Sequence, residues 1–412
     1  MMFAEFPEEV ATGKRAGNEV AMFHLASEQI YVGAIPAAQF RVATLILLVS
    51  DPRYADHGRR IKNFLEERGL SCETESISVG AYDPDSVSDA ICTSVRETRA
   101  KGCSTEFVVN LTGGTKLMAI GAYKAAESLG LACVYMDTDN QKLRIIRGNL
   151  TAPGWSEITQ GVGVAELVQL YGGSVTRSRT SSVGTDSELT HVSWEIAESW
   201  RNSRGLWKTW FAQIVQKAVS PSDGRWIGGL TRTIEVDNKF VDDVEFIVNR
   251  LRLQRLVSSS HSVRGAGRTE LTIEFPSAQV ADFFTRRGLW LEVCAYEVLR
   301  GEIKKHMRAD PSIELGCEVS LGEVSNEFDV VAAVDGLLFV VSCKSGKVDQ
   351  AALTSMDGVS RIGGSHVRRA LVAAEPLTYR IHKRAELMGI LLVQLDDLLK
   401  WRIDPEVYRL FV

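Results

Sequence analysis

From residue 19 to residue 147 the sequence alternates strand-length apolar runs with segments of helical period, and few folds satisfy that alternation. Residues 20–26, 43–50, 73–79, 106–111 and 131–136 read as strands, with helices near 36–41, 53–68, 84–101 and 116–129 between them. Strand, helix and strand in succession predict a parallel sheet covered on both faces, because parallel neighbours need a crossover that returns the chain. Residues 142–147 add an edge strand after the turn at Asp139-Asn140. In sheets of this kind ligands sit beyond the carboxyl ends of the strands, so the loops there come first in a search for function.

Three of those loops are polar: Ser27-Glu28-Gln29, Ser50-Asp51-Pro52 and Thr112-Gly113-Gly114-Thr115-Lys116. The third follows a strand and opens a helix. It offers consecutive backbone N–H groups, two hydroxyls, an ammonium group and a helix N-terminus, all suited to a phosphate. Its glycines let a ligand approach the main chain. A glycine turn capped by threonine accounts for the same residues without any ligand. The G-x-x-x-x-G-K-S/T spacing and the G-x-G-x-x-G fingerprint are both absent, so ATP hydrolysis is not implied.

The run Val108-Val109-Asn110-Leu111-Thr112-Gly113-Gly114-Thr115-Lys116-Leu117-Met118 resembles the signature of CARF domains, the CRISPR-associated Rossmann-like sensors. The Ser-Glu-Gln and Ser-Asp-Pro loops fit the same pattern, and the resemblance covers residues 18–150. It implies a homodimer that binds cyclic tetra-adenylate or cyclic hexa-adenylate across its two-fold axis, since a ring of repeating nucleotides is read best by one surface used twice. It also implies residue roles. Thr112, Gly113, Gly114, Thr115 and Lys116 cradle phosphate and ribose, Ser27, Gln29, Ser50 and Asp51 line the pocket, and Asp137-Thr138-Asp139 borders it.

A chain of 412 residues exceeds one ordinary core and predicts three domains. The Gly-, Ser- and Thr-rich stretch after residue 150 marks a boundary. Residues 186–280 read as a small, mainly helical linker domain with tryptophans 194, 200, 207, 210 and 226 as its core and a strand near 268–275. Residues 281–412 form a further mixed α/β domain. No apolar run approaches the roughly 20 residues that span a bilayer, and the acidic first 16 residues lack a signal-peptide core, so a cytoplasmic protein with no membrane partner is expected. Seven unclustered cysteines predict buried thiols rather than a disulfide or zinc framework. A net charge of −5 argues against a broad polyanion-binding surface. Positive charge concentrates instead at 208–217, 250–255, 264–268 and 286–287, as solvated helix faces or as local contacts.

In the last domain a long helix to about residue 307 precedes strands at 313–321, 327–334 and 337–343, a helix at 350–359 and strands at 370–374 and 390–395. Asp329 lies in one strand and Lys344 ends the next after a tight Asp335-Gly336 turn, so a hairpin brings them together. Glu292 on the preceding helix supplies a second carboxylate. Such carboxylates bind a hard divalent cation that activates water, while the lysine stabilises charge at the phosphorus. A buried Asp329–Lys344 ion pair is the plain structural alternative.

The stretches Asn326-Glu327-Phe328-Asp329-Val330-Val331 and Val340-Val341-Ser342-Cys343-Lys344-Ser345-Gly346 resemble the PD-(D/E)xK nuclease core, with Trp290-Leu291-Glu292 on its opening helix. With the sensor, the chain resembles CRISPR ancillary nucleases of the CARF–PD-(D/E)xK type, which cyclic oligoadenylate activates to cut DNA, RNA or both. The resemblance implies Asp329, Lys344, Glu292 and Ser342 as the catalytic positions, and Mg2+ or Mn2+ held by Asp329, Glu292 and the Cys343 carbonyl. Ser342 departs from the pattern, which places an acidic residue there. A hydroxyl carries no charge to offset the cation, so the site relies on Asp329, Glu292, the Cys343 carbonyl and water, or on Glu327. The other implication is an inactive core in a CARF-regulated transcription factor or a ring nuclease. Arg361 and His366 match the R-x4-H pattern of HEPN ribonucleases, but Gly363 and Gly364 cost roughly 1 kcal/mol each in a helix, so a loop is expected there.

Overall fold

The computed structural model describes residues 19–138, 140–147, 154–159, 161–184, 186–201, 231–253, 255–286, 288–306, 312–356, 367–405 and 410–411. β1 (Glu19–Leu25) and α1 (Tyr31–Gln39) open the first domain, followed by β2 (Thr44–Val49), α2 (His57–Glu67), β3 (Glu73–Ser78), α3 (Pro84–Ala100), β4 (Thr105–Asn110), α4 (Lys116–Leu129) and β5 (Ala132–Asp137). The five strands run parallel in the order β3-β2-β1-β4-β5, as the alternation predicts. β6 (Lys142–Arg147) and β7 (Gly154–Glu157) extend the edge antiparallel. β1 and the middle of β2 are continuously buried, the pattern of strands covered on both faces. Strand order reverses between β1 and β4, so the loops that follow them part and leave a crevice.

The first helix begins at Tyr31 rather than near Pro36, which lies in its interior. A proline there has no N–H for the Val32 carbonyl one turn back. Asn110 Nδ2 donates to that carbonyl instead, at 2.9 Å, and Asn110 Oδ1 accepts from the Thr112 N–H at 3.0 Å. One buried side chain therefore completes α1 and anchors the start of the glycine loop. Every residue of α1 from Tyr31 to Ala38 is buried. A helix that is apolar all round needs cover on both sides.

That cover comes from the second half of the chain. The Gly- and Ser-rich stretch is more structured than its composition suggests: α5 (Val164–Leu170) packs on α2 and on the C-terminal sheet, and β8 (Ser174–Arg177) joins that sheet as its edge strand. A helical run at 187–201, α6, follows. β9 (Thr231–Asp237), α7 (Val241–Leu253), β10 (Ser259–Arg264) and β11 (Arg268–Glu274) come next. Their three strands form an antiparallel sheet of order β10-β11-β9, in which β11 is the strand expected near 268–275 and β9 and β10 are additions to the mainly helical linker expected there. A short helix, α8 (Ala278–Thr285), precedes the long helix expected next, α9 (Leu289–His306).

β12 (Ser312–Leu321), β13 (Val324–Val334), β14 (Leu337–Lys344), α10 (Gln350–Ser355), β15 (Arg368–Ala373), α11 (Tyr379–Leu387), β16 (Ile390–Gln394) and α12 (Leu395–Ile403) complete the chain. The sheet order is β16-β15-β14-β13-β12-β8, antiparallel from β12 to β14 and parallel from β14 to β16. One face carries Val330, Ala332, Val341 and Cys343 into a core with α9 and with Trp194, Trp200, Trp290 and Trp401. Trp207, Trp210 and Trp226, like Arg361 and His366, lie outside the described residues. The opposite face sends Cys317, Val319, Val331, Ala333, Leu338 and Val340 into one apolar cluster with α1 and α5. The two α/β domains thus share a core.

The tight turn of the β13–β14 hairpin rests on α1. Asp335 and Gly336 have φ of 52° and 74°, as a two-residue hairpin turn requires, and a Cβ on Gly336 would overlap the Tyr31 ring. Gln141 Nε2 donates both to Thr138 O at 2.6 Å and to Asp335 O at 2.8 Å. All seven cysteines are free thiols, five of them buried. Among the described residues no helix is long and apolar enough to cross a membrane. Asn110→Ala is expected to destabilise the protein by roughly 1–3 kcal/mol in urea unfolding, because it strands a buried carbonyl. Pro36→Ala in that background returns part of the loss by supplying the missing helical N–H, whereas Asn110→Ala unfolding as the parent does would rule this account out.

Candidate functional site

The crevice loops touch through glycine. Gly113 and Gly114 have φ of 92° and 60°, and a Cβ on Gly113 would stand 2.5 Å from Leu25 O and 2.9 Å from Ser27 Oγ. Ser27 Oγ is buried and makes no hydrogen bond among the described residues, a condition that a polar ligand would relieve. Thr115 caps α4: its hydroxyl accepts from Met118 N–H at 3.2 Å and donates to Ala81 O at 2.5 Å. Lys116, the first residue of that helix, is exposed, while Gln29 and Ser50 are half-buried at the ends of their loops.

Two expected pocket residues are engaged internally. Thr112 is buried, and its hydroxyl accepts from Met136 N–H at 2.7 Å, tying the loop to β5. Asp51 caps the turn Pro52–Tyr54, and its two oxygens bind Arg53 through the backbone N–H at 2.9 Å and the guanidinium at 2.7 Å. Those bonds hold its carboxyl below the usual range. Ser27 thus meets Gly113 across the crevice, with Lys116 exposed beside them at the start of α4, while the Thr112 and Thr115 hydroxyls brace the glycine loop.

The acidic site forms where the hairpin opens. The β13–β14 ladder ends at the Val330–Val341 pair. Beyond it, Asp329 Oδ2 accepts from the Cys343 N–H at 2.6 Å and the Ser342 hydroxyl at 3.2 Å, and Lys344 Nζ stands 3.9 Å away. Ser342 is therefore a donor to the key carboxylate. The Cys343 side chain is buried and its thiol pushed far above the usual range, first by burial, which leaves its main-chain oxygen as the donor of interest. Glu292, in the first turn of α9, binds the Arg179 guanidinium at 2.9 Å, and the same guanidinium binds Glu327.

Burial, and then the charge of Asp329, push the Glu292 carboxyl up to about 8 against the pull of Arg179. Burial likewise raises Asp329 against the pull of Lys344. Carboxylates that resist ionisation because they are buried, one of them beside another negative charge, call for positive charge. Oxygen donors of this kind suit Mg2+ or Mn2+, so the donor set fits such an ion. Among the described residues no group of three or more His, Cys, Asp or Glu side chains is placed to hold a metal, so any ion here would need main-chain oxygen or water beside Asp329 and Glu292.

Residues 32–160 match the family model described as the Card1 CARF domain, and residues 281–402 match the Card1-like endonuclease domain. The chain joins a Card1-type CARF domain to a Card1-like endonuclease domain. Its fold is similar to that of protein VC1899 from Vibrio cholerae, at TM-score 0.72 and 18% identity over 93% of this chain and 96% of that one. Can2 from Sulfobacillus thermosulfidooxidans, in complex with cyclic tetra-adenylate, matches at TM-score 0.66 and 20% identity over 94% and 96%. A type III CRISPR defence DNA nuclease activated by cyclic oligoadenylate matches at 0.53 and 17% over 96% of this chain and 53% of that one. No curated protein matches the sequence. At these identities the structural likenesses establish the fold.

Sequence reasoning missed two residues that the fold brings to these sites. Asn110 appears in the CARF run without a role, and its value becomes visible only once Pro36 falls inside α1. Arg179 stands in a Ser- and Thr-rich stretch with no motif around it, and the signal for it lies in the tertiary fold alone.

Because the folded-state value of Glu292 lies above its unfolded one, its contribution favours folding below pH 4.5 and is lost as the pH rises towards 8. Glu292→Gln, followed by thermal unfolding in chelator across that window, is expected to flatten the decline relative to the parent. An unchanged slope would show that Glu292 ionises as an ordinary carboxylate.

Proposed function

We propose that this protein is a metal-dependent endonuclease of type III CRISPR defence, activated by cyclic oligoadenylate, with cyclic tetra-adenylate as the activator and DNA, RNA or both as substrate. The observation that carries the reading is the convergence of Glu292, Asp329 and Lys344 at the mouth of a hairpin whose turn rests on α1. α1 starts directly after the Ser27–Gln29 loop. Can2, bound to cyclic tetra-adenylate in its structure, supports the choice of ring. The working division is a sensor at 18–150, a linker at 186–280 and a nuclease at 281–412, with β7 counted to the sensor sheet and β8 to the nuclease sheet. A cytoplasmic site of action follows from that role.

The activator pocket is read as a homodimer crevice. Leu117, Ile120 and Tyr123 lie on one face of α4 immediately after the phosphate loop, and Ile120 is 57% exposed. An apolar stripe of this kind suits a second copy, which would bring two glycine loops and two Lys116 side chains around one ring. Ser27 and the N–H groups of Gly113 and Gly114 then hydrogen-bond the ligand, and Lys116 offsets phosphate charge.

In the nuclease domain Asp329, Glu292 and the Cys343 carbonyl are the groups that would hold Mg2+ or Mn2+. Such an ion, when bound, activates water and offsets charge on the phosphodiester. Ser342 and the Cys343 N–H hold Asp329 in orientation. Lys344, partly exposed beside Asp329, stabilises the negative charge that develops at phosphorus.

The test incubates the protein with supercoiled plasmid and labelled single-stranded DNA and RNA, with Mn2+ or Mg2+ and with or without cyclic tetra-adenylate. Cutting is expected only with both metal and messenger, to vanish in Asp329→Ala and Lys344→Ala, and to need more messenger in Lys116→Ala. Normal cutting by Asp329→Ala would remove the site. Messenger binding or messenger breakdown without nucleic-acid cutting would favour the regulator or ring-nuclease reading. Ile120→Asp is expected to give monomers in light scattering and to weaken messenger binding by roughly tenfold or more, since a buried charge at such an interface costs several kcal/mol. A dimer that survives Ile120→Asp would place the two-fold axis elsewhere.

A further inference from the structure

Arg179 belongs to no motif and to none of the catalytic positions named above, yet it is built into the acidic site. The hydroxyls of Ser178 and Thr180, on either side of it, donate to Glu314 at 2.5 Å and 2.7 Å, and the Arg179 N–H donates to Leu315 O at 2.8 Å. With the main chain so fixed, the side chain is 9% exposed and reaches Glu292 and Glu327. Its seat is shaped for it. Gly316 and Asp329 lie opposite each other between the ladder pairs Leu315–Val330 and Cys317–Phe328, and a Cβ on Gly316 would overlap the guanidinium.

A guanidinium bound to Glu292 stands on the carboxylate that a divalent cation needs. Two positive charges on one carboxylate repel, and more strongly where water is scarce. The segment that delivers Arg179 follows α5 and β8, and α5 also packs on α2 of the first domain. A shift of that domain against the nuclease sheet therefore reaches Arg179 through adjoining elements.

We propose that Arg179 is a resident counter-cation of the nuclease site: it occupies the acidic pocket in the resting protein, competes with the divalent cation for Glu292, and is withdrawn on activation. The proposal rests on the metal-nuclease reading of that pocket. It also accounts for the carboxylates Glu292, Glu327 and Asp329 lying close together with Lys344 as the other cation that acts on them among the described residues.

The test is a Mn2+ titration of the full-length protein without nucleic acid, followed by the electron paramagnetic resonance of the free ion. Without messenger, Arg179→Gln is expected to bind Mn2+ roughly tenfold more tightly than the parent, as loss of a neighbouring positive charge requires. Gly316→Ala keeps the arginine but denies its seat, is expected to shift affinity the same way, and serves where Arg179→Gln fails to fold. Cyclic tetra-adenylate is expected to tighten Mn2+ binding by the parent and to add little to Arg179→Gln. A role in orienting Glu292 predicts the reverse sign, with weaker binding once the arginine is gone.

Equal or weaker Mn2+ binding by both variants overturns the proposal. Messenger that tightens parent and Arg179→Gln alike overturns the withdrawal step. The nuclease reading is judged apart, by cutting. A parent that cuts while the variants gain no affinity keeps that reading and loses this one, and a parent that never cuts while both variants bind Mn2+ more tightly does the opposite.

Discussion

The burial of α1 is the constraint on which the rest of the structure depends. Its sequence is apolar on every side from Tyr31 to Ala38, so no single sheet can cover it. The first-domain sheet takes one side, and the nuclease sheet contributes to the same apolar cluster from the other. A helix that two sheets need in common cannot move relative to one without disturbing the other, because close-packed interiors do not deform smoothly. The hairpin that carries Asp329 and Lys344 is held at its turn by this helix, through Tyr31 against Gly336.

A second consequence concerns charge. Glu292 and Asp329 are both buried, which raises the proton affinity of each, and the charge of Asp329 raises that of Glu292 further. Such a pair is unfavourable unless cations or donors offset it. Lys344, Arg179, the Ser342 hydroxyl and the Cys343 N–H share that task. An acidic residue at 342 would have added one more negative charge beside Asp329. The hydroxyl donates to Asp329 where a carboxylate would repel it, so Ser342 changes the electrostatic balance of the site as well as its ligand count.

Much of this was legible in the sequence because it rests on local pattern. The parallel strands, the glycine loop at the carboxyl end of β4 and the Asp329–Lys344 hairpin each follow from periodicity or turn chemistry within a few residues. What the sequence withheld depends on tertiary partners. α1 hid behind Pro36, whose cost is met by Asn110, 78 residues beyond the Val32 carbonyl it serves. The Thr112 hydroxyl also accepts from the Met136 N–H, a structural bond that no local pattern announces. β8 lacks the apolar alternation of a core strand and is recruited by pairing with β12 at the sheet edge. Arg179 follows it into the site by the same recruitment.

The shared core also limits how a ligand can act at a distance. Binding shifts an equilibrium only by the difference in its affinity for the two states. A ring bound as proposed at Gly113, Gly114 and Ser27 would touch the loop that Asn110 ties to Val32, one residue from the Tyr31 ring that seats the hairpin turn. Any rearrangement of that loop which the ligand favours must therefore either stretch the Asn110 bonds or carry α1 with it. The first leaves a buried carbonyl and N–H without partners, at a cost of order 1–3 kcal/mol each. That is comparable to a whole allosteric coupling energy of about 1–3 kcal/mol. Moving α1 as a rigid body avoids the loss, and since the hairpin turn sits on α1, the cheaper motion is the one that reaches Asp329 and Lys344.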